Sequence, residues 1–192
     1  MTQALLVVDV QNEFSARGLR AVPNHADAMI AIQARIEEAR AERRPIAWIQ
    51  HHNKPTESRA FLPGSWGAEL SPGMGPKPGF GPERLFEKDV FGAFTGTGLE
   101  EWLDAVEVSD VLIVGFFAHM CVSTSAREAL VRGMAVSVDA AATGAHDLAN
   151  EILGSQSANE VRRSALLQLA DMGASIENRE ALATAAAQAE VI

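Results

Sequence analysis

The run ALLVV at residues 4–8, closed by Asp9, leaves no polar side chain for a strand to turn toward water. Side chains alternate between the two faces of a strand, so an unbroken apolar run is one that is covered on both. The run VLIVGFF, starting at Val111, makes the same demand more strongly. Sheets covered on both faces are mostly parallel, because the crossovers between parallel strands lay helices over them.

The intervening segments supply those helices. Ala26, Met29, Ile32, Ile36 and Ala39 recur at three- and four-residue spacings and predict a helix over about 24–43. Pro45 introduces a second strand, IAWI at 46–49, so the chain opens as a β-α-β unit. A third strand over about 84–88 delivers Lys88, and a helix over about 98–105 leads to VLIVGFF. The next helix, over about 121–132, stops at Gly133. MAVSV then leads as a strand to Asp139, Val161, Ala165 and Leu169 mark a helix over about 158–170, and GASI at 173–176 reads as a final short strand. Right-handed crossovers return each parallel strand beside a neighbour. The predicted fold is an α/β domain, a three-layer α/β/α sandwich with a mostly parallel central sheet, and residues 1–192 read as one such domain. Two segments stand outside the pattern. A Gly- and Pro-rich excursion occupies about 51–82, the length of a lid or binding loop, with a disordered insert as the alternative. An alanine-rich tail over about 177–189 favours helix by propensity, with docking on a partner subunit and fraying both open.

Apolar residues at 47% and charged ones at 21% are ordinary globular composition and argue against disorder. A formal charge of −9 disfavours nonspecific binding to nucleic acid or an anionic membrane and leaves small-molecule and protein partners open. No apolar run approaches the ~18 residues of a transmembrane helix. The single cysteine cannot form an intrachain disulfide, and the start MTQALLVVDVQ lacks the marks of a signal peptide. A cytoplasmic location is the expectation.

Ligands of doubly wound sheets bind beyond the carboxyl ends of the strands. Asp9, Lys88 and Cys121 all fall at or just past such ends. Brought together, they have a chemistry. A helix N-terminus and the Lys88 ammonium would favour the Cys121 thiolate, Asp9 would take the thiol proton and pass it on, and backbone amides around 117 and 121 would hold an oxyanion. The residues alone leave other readings open: free cysteine is commonly buried filler, Asp9 can cap a turn, and Lys88 can pair on the surface with Glu87 or Asp89.

Five segments carry a family resemblance: LLVVDVQNEF at 5–14, PIAWIQH at 45–51, FEKDVFGAFTGTGLEEWL at 86–103, VLIVGFFAHMCVSTSAREAL at 111–130 and VSVDAAAT at 136–143. With them the chain resembles the isochorismatase-like hydrolases, a superfamily that includes nicotinamidases and N-carbamoylsarcosine amidase. The resemblance implies an Asp, Lys and Cys triad at Asp9, Lys88 and Cys121. It also implies a cis peptide from Phe116 to Phe117 and an oxyanion hole from the amides of Phe117 and Cys121. The implied activity is cysteine-dependent hydrolysis of an amide or ureido C–N bond in a small molecule through a thioester. Alternatives are hydrolysis of an isochorismate-like vinyl ether with Asp9 as acid, and a non-catalytic small-molecule binding protein on the same scaffold. Cys121 favours C–N cleavage.

Nicotinamidases of the superfamily hold a metal through an Asp-x-His motif. The matching stretch here, WIQHHNKPTESRAF, has no such motif, and no histidine lies between His52 and His119. No metal is expected, and the absence of Gly-x-Gly-x-x-Gly and Walker signatures gives no support for a nucleotide cofactor. The substrate pocket is expected to be lined by Phe14, Gln50, His51, Phe61, Trp66, Phe91, Phe94, Phe117 and His119. The resemblance further implies a homo-oligomer, a dimer or tetramer, with Trp102 or the tail as candidate contacts.

Overall fold

A computed structural model describes residues 2–178 of the chain. Six strands form one parallel sheet: β1 (Thr2–Val8), β2 (Ile46–His51), β3 (Glu83–Lys88), β4 (Val108–Phe116), β5 (Ala135–Gly144) and β8 (Ser175–Glu177). Their spatial order is β3-β2-β1-β4-β5-β8, so the winding reverses between β1 and β4. Among the described residues four helices cover the sheet: α1 (His25–Ala41), α2 (Leu99–Ala105), α3 (Ser123–Val131) and α4 (Ala158–Asp171).

The apolar runs are covered on both sides, as their composition requires. Leu5 and Val7 of β1 join Leu112, Val114 and Phe116 of β4 in a cluster under α1, with Ala28, Ile32, Ile36 and Ala39 from that helix. Leu6 and Val8 join Val111 and Ile113 in a second cluster on the opposite face, closed by Leu99 and Leu103 of α2, Ala126 and Ala129 of α3, and Leu166 and Leu169 of α4. Each fully buried Leu, Ile, Val or Phe among them contributes about 1.5–3 kcal/mol, and each alanine less. The three-layer sandwich is the architecture observed.

Several local expectations are corrected. Ala26 is exposed in the first turn of α1, and Arg35 takes a buried place on the inner face instead. Its guanidinium lies 2.6 Å from Asp139 and 2.8 Å from Glu177, so the buried charge is paired to β5 and β8. The helix expected from 121 is preceded by a π-helical turn over Ala118–Val122, with the Val122 N–H donating to the Phe117 carbonyl at 3.1 Å. A short antiparallel hairpin, β6 (Leu148–Asn150) and β7 (Gly154–Gln156), was not anticipated from sequence. The tail helix predicted over about 177–189 lies, from residue 179 on, outside the described residues, and Glu177 ends β8. No described helix is long and apolar enough to cross a membrane.

Two features shape the carboxyl end of the sheet. Gly115 of β4 has φ 118° and pairs with Val8, and a Cβ there would lie 1.9 Å from the Val8 carbonyl oxygen. Only glycine permits that approach of the strands on either side of the reversal. The long excursion after β2 is pinned against the end of β1: the Ser71 N–H donates to the Val10 carbonyl (2.9 Å), the Asn12 N–H to the Glu69 carbonyl (3.0 Å), and the Gln11 side chain to the Ala68 carbonyl (2.7 Å).

Candidate active site

Each of the three candidate residues reaches the site from a different element. Asp9 directly follows β1 in a left-handed conformation, φ 52°, a region that Asp tolerates better than most residues. Lys88 is the last residue of β3. Cys121 lies in the π-helical turn that follows β4, beyond the cis peptide from Phe116 to Phe117. They meet beside the winding reversal, where an open parallel sheet places its ligand crevice.

Lys88 Nζ is the hub. It donates to Asp9 Oδ2 at 2.9 Å and to the Val90 carbonyl at 3.1 Å, and two further acceptors, Cys121 Sγ and His51 Nδ1, each lie at 3.3 Å. All three side chains of the trio are buried, and Asp9 Oδ1 has no hydrogen-bond partner among the described residues. Burial works against the ammonium, but Asp9 and Cys121 outweigh it and raise the Lys88 pKa above its ordinary value. Burial, joined by the Asp9 carboxylate, pushes the Cys121 thiol well above its usual range, and Lys88 only partly offsets them. This corrects the expectation of a favoured resting thiolate. Cys121 is enclosed within the turn, so the resting sulfur carries its proton and needs a base at the moment of attack.

A cavity of about 470 Å³ opens onto Asp9 and Cys121, with Lys88 buried behind them. Its wall includes Asp9 and Cys121 together with Phe14, His51, Phe61, Phe91 and Phe117, all five expected there. Other expected residues lie elsewhere. Gln50 points away from His51 along β2 and donates to the Ala68 carbonyl at 2.7 Å. Trp66 is on the surface beneath Arg17, whose guanidinium carbon is 4.9 Å from the ring centre. Phe94 is buried in the core beneath Arg132. His119 sits behind the wall, its ring 5.2 Å from Phe117 and 5.3 Å from His146. Burial, reinforced by His146 and Arg20, brings the His119 pKa down to about 4, so this imidazole is neutral at physiological pH.

Sequence reasoning missed Arg20, Asn53, Glu57, Ser58, Asp89, Val90 and Met120, which complete the wall. Asp89 and Val90 had a signal, since they continue directly from the strand that ends in Lys88. Met120 had one too, as the neighbour of Cys121, whereas Arg20, Asn53, Glu57 and Ser58 depend on the path of irregular loops.

Among the described residues no three His, Cys, Asp or Glu side chains group as a metal site requires. Both ring nitrogens of His51 are engaged, Nδ1 with Lys88 and Nε2 with Asn53 Oδ1 at 2.7 Å. The donor set does not fit the metal centre of the nicotinamidases.

The chain has relatives in both sequence and fold. Residues 3–164 match the family model described as the Isochorismatase domain. The Secreted isochorismatase effector Isc1 of Verticillium dahliae is 33% identical over 144 residues, covering 75% of this chain and 73% of that protein. Nicotinamidase 3 of Arabidopsis thaliana is 30% identical over 152 residues, covering 73% of each. The crystal structure of an isochorismatase from Pseudomonas putida KT2440 superposes with a TM-score of 0.84 at 26% identity, covering 93% of this chain and 89% of that one. With an α/β/α sandwich and an Asp-Lys-Cys network at its winding reversal, the chain belongs to the isochorismatase family of hydrolases.

Proposed function

We propose that the protein hydrolyses an amide or ureido C–N bond of a small molecule, with Cys121 as nucleophile. The observation that carries this reading is the single buried ammonium of Lys88, shared by Asp9 at 2.9 Å and Cys121 at 3.3 Å, both of which line a substrate-sized cavity. Asp9 takes the thiol proton as Sγ attacks the carbonyl carbon, and Lys88 stabilises the sulfur as its charge develops. The amides of Phe117 and Cys121 receive the oxyanion. Collapse breaks the C–N bond, and Asp9 returns its proton to the departing nitrogen. Water, deprotonated by Asp9, then attacks the thioester. The acid product leaves as the proton returns to sulfur, so the sum is amide plus water to acid plus amine.

The cavity wall supports a substrate with a planar or apolar body, given four phenylalanines together with Val90 and Met120. Arg20 supports an anionic substituent on it. Asp89 on the same wall is paired with Lys54 at 3.1 Å, whereas Arg20 has no ion-pair partner among the described residues. The same reading has the enzyme acting in the cytoplasm as a dimer or tetramer, which sedimentation of the purified protein tests.

The deciding experiment measures ammonia or amine release from a panel of small primary amides and ureido compounds, using wild type beside Cys121→Ala. Turnover abolished by the substitution, with an acyl adduct trapped on Cys121 by mass spectrometry, is the expected result. Amine release indifferent to Cys121 would overturn the thiol mechanism, and no release from any amide would leave acid catalysis of a vinyl ether by Asp9 or a binding role.

A further inference from the structure

The ring of His51 lines the cavity, yet neither nitrogen is available to a substrate. Asn53 Nδ2 donates to the Ala60 carbonyl at 3.0 Å, which fixes the amide so that Oδ1 faces His51 Nε2 at 2.7 Å. An amide oxygen only accepts, so the imidazole proton sits on Nε2 and Nδ1 carries the lone pair. That lone pair faces Lys88 Nζ at 3.3 Å. An ammonium has three hydrogens, and here four acceptors surround it. Asp9 Oδ2 at 2.9 Å and the Val90 carbonyl at 3.1 Å take two. His51 Nδ1 and Cys121 Sγ, both at 3.3 Å, compete for the third.

We infer that His51, oriented by Asn53, is a positioning residue: it accepts the third Lys88 hydrogen in the resting enzyme and yields it to sulfur as Cys121 ionises. A neutral thiol is a weak acceptor and a thiolate a strong one, so the hydrogen bond transfers when the proton leaves for Asp9. The arrangement keeps the ammonium aimed between its two partners without placing a second cation beside it. The groups that face the imidazole fit this role. Lys88 from β3 disfavours its protonation, Asp9 from the end of β1 favours it, His52 beside it disfavours it, and Phe61 lies edge-on at 5.5 Å. Asp89 on the neighbouring rim is engaged by Lys54. Burial together with Lys88 holds the His51 pKa below its ordinary value.

The inference rests on the thiol reading above, and its test is chosen so that the two can fail separately. Asn53→Asp replaces the amide by a carboxylate of nearly the same shape, which stabilises the imidazolium and puts a hydrogen on Nδ1. Lys88 then loses an acceptor and gains a neighbouring charge. The assay is the rate of Cys121 alkylation by iodoacetamide, which needs no substrate, together with kcat and KM once a substrate is known. For Asn53→Asp the rate relative to wild type should fall about tenfold between about pH 8 and pH 6, as the imidazole titrates. His51→Gln, an uncharged acceptor, should give a ratio flat with pH and faster alkylation than His51→Leu. Where turnover is measured, kcat should fall and KM should hold. A flat ratio for Asn53→Asp, or a His51→Leu effect confined to KM, would overturn the positioning role. A pH-dependent ratio in a protein that turns over no amide would uphold the role and retire the amidase reading instead.

Discussion

Replacing Arg40 by Met separates charge from packing at the sheet edge that carries Lys88. Arg40 of α1 reaches Glu83, the first residue of β3, with Nε and Nη2 at 2.8 and 2.9 Å from its two carboxylate oxygens. The Trp48 indole N–H donates to the same carboxylate at 2.9 Å, and the Lys77 backbone N–H at 3.1 Å. The Glu83 side chain is only 2% exposed. Burial raises its pKa, but Arg40 and these donors prevail and hold the carboxyl below the usual range. Methionine preserves much of the contact with the Trp48 and Phe80 rings, which lie 5.6 and 5.4 Å from the guanidinium carbon, while removing the charge. Breaking a buried pair from one side costs about 3–5 kcal/mol. Protonation sets a ceiling near the lower figure: neutralising an ordinary glutamic acid at about pH 7 costs roughly 1.4 kcal/mol for each pH unit above ~4.3, about 3.7 kcal/mol in all. The sign follows. A depressed carboxyl pKa contributes stability that is present above the unfolded value and is lost as pH falls through the folded one. The variant lacks that contribution, so the gap is widest at neutral pH and closes in acid. Urea unfolding should show Arg40→Met about 3 kcal/mol less stable at about pH 7 and within ~1 kcal/mol of wild type at about pH 4. Adding Glu83→Gln, which still accepts from Trp48, should restore most of the loss. A gap of equal size at both pH values would mean that Arg40 acts through packing, and the electrostatic reasoning would fail.

Two further predictions concern the site. Asp9 raises the Cys121 thiol pKa and Lys88 lowers it, so the pH profile of alkylation should move in opposite directions: toward lower pH in Asp9→Asn and toward higher pH in Lys88→Met. Equal shifts of one sign would contradict the network. Arg20→Gln should raise KM for amides that carry a carboxylate by about tenfold, roughly one charged hydrogen bond, with neutral analogues and kcat unaffected. Steady-state kinetics on a matched acid and methyl ester pair decides it.

The fold was legible where burial alone shaped the sequence. ALLVV and VLIV are apolar at every position because both faces are covered, and the α1 stripe at Ile32, Ile36 and Ala39 points into one cluster. Periodicity is blind to Arg35, which occupies a core position of the same helix by pairing with Asp139 and Glu177, partners that lie 104 and 142 residues away in sequence. The β6–β7 hairpin was invisible for another reason. Its two strands have three residues each and are exposed throughout, so no alternation marks them. Loop aromatics were the weakest ground: Trp66 and Phe94 have the composition of a pocket wall, and only the path of the backbone puts one under Arg17 and the other under Arg132.

The reactive trio was legible because strand order dictates which side chain can serve at which position. β1 is central, β4 adjoins it on one side, and β3 lies two strands away on the other. At about 4.8 Å between neighbours, the end of β3 is roughly 9–10 Å from the end of β1. A short carboxylate suffices at position 9, and a cysteine suffices in the turn after the adjacent strand. The cation must cross the end of β2, and the four-carbon stem of Lys88 provides that reach where an imidazole at position 88 would fall short. The crossing also accounts for His51, which pairs with Lys88 in the β2–β3 register. Its ring therefore lies beside the stem that must pass it. A residue there either crowds the ammonium or offers it an acceptor, and a neutral imidazole whose proton is held on Nε2 by Asn53 offers an acceptor.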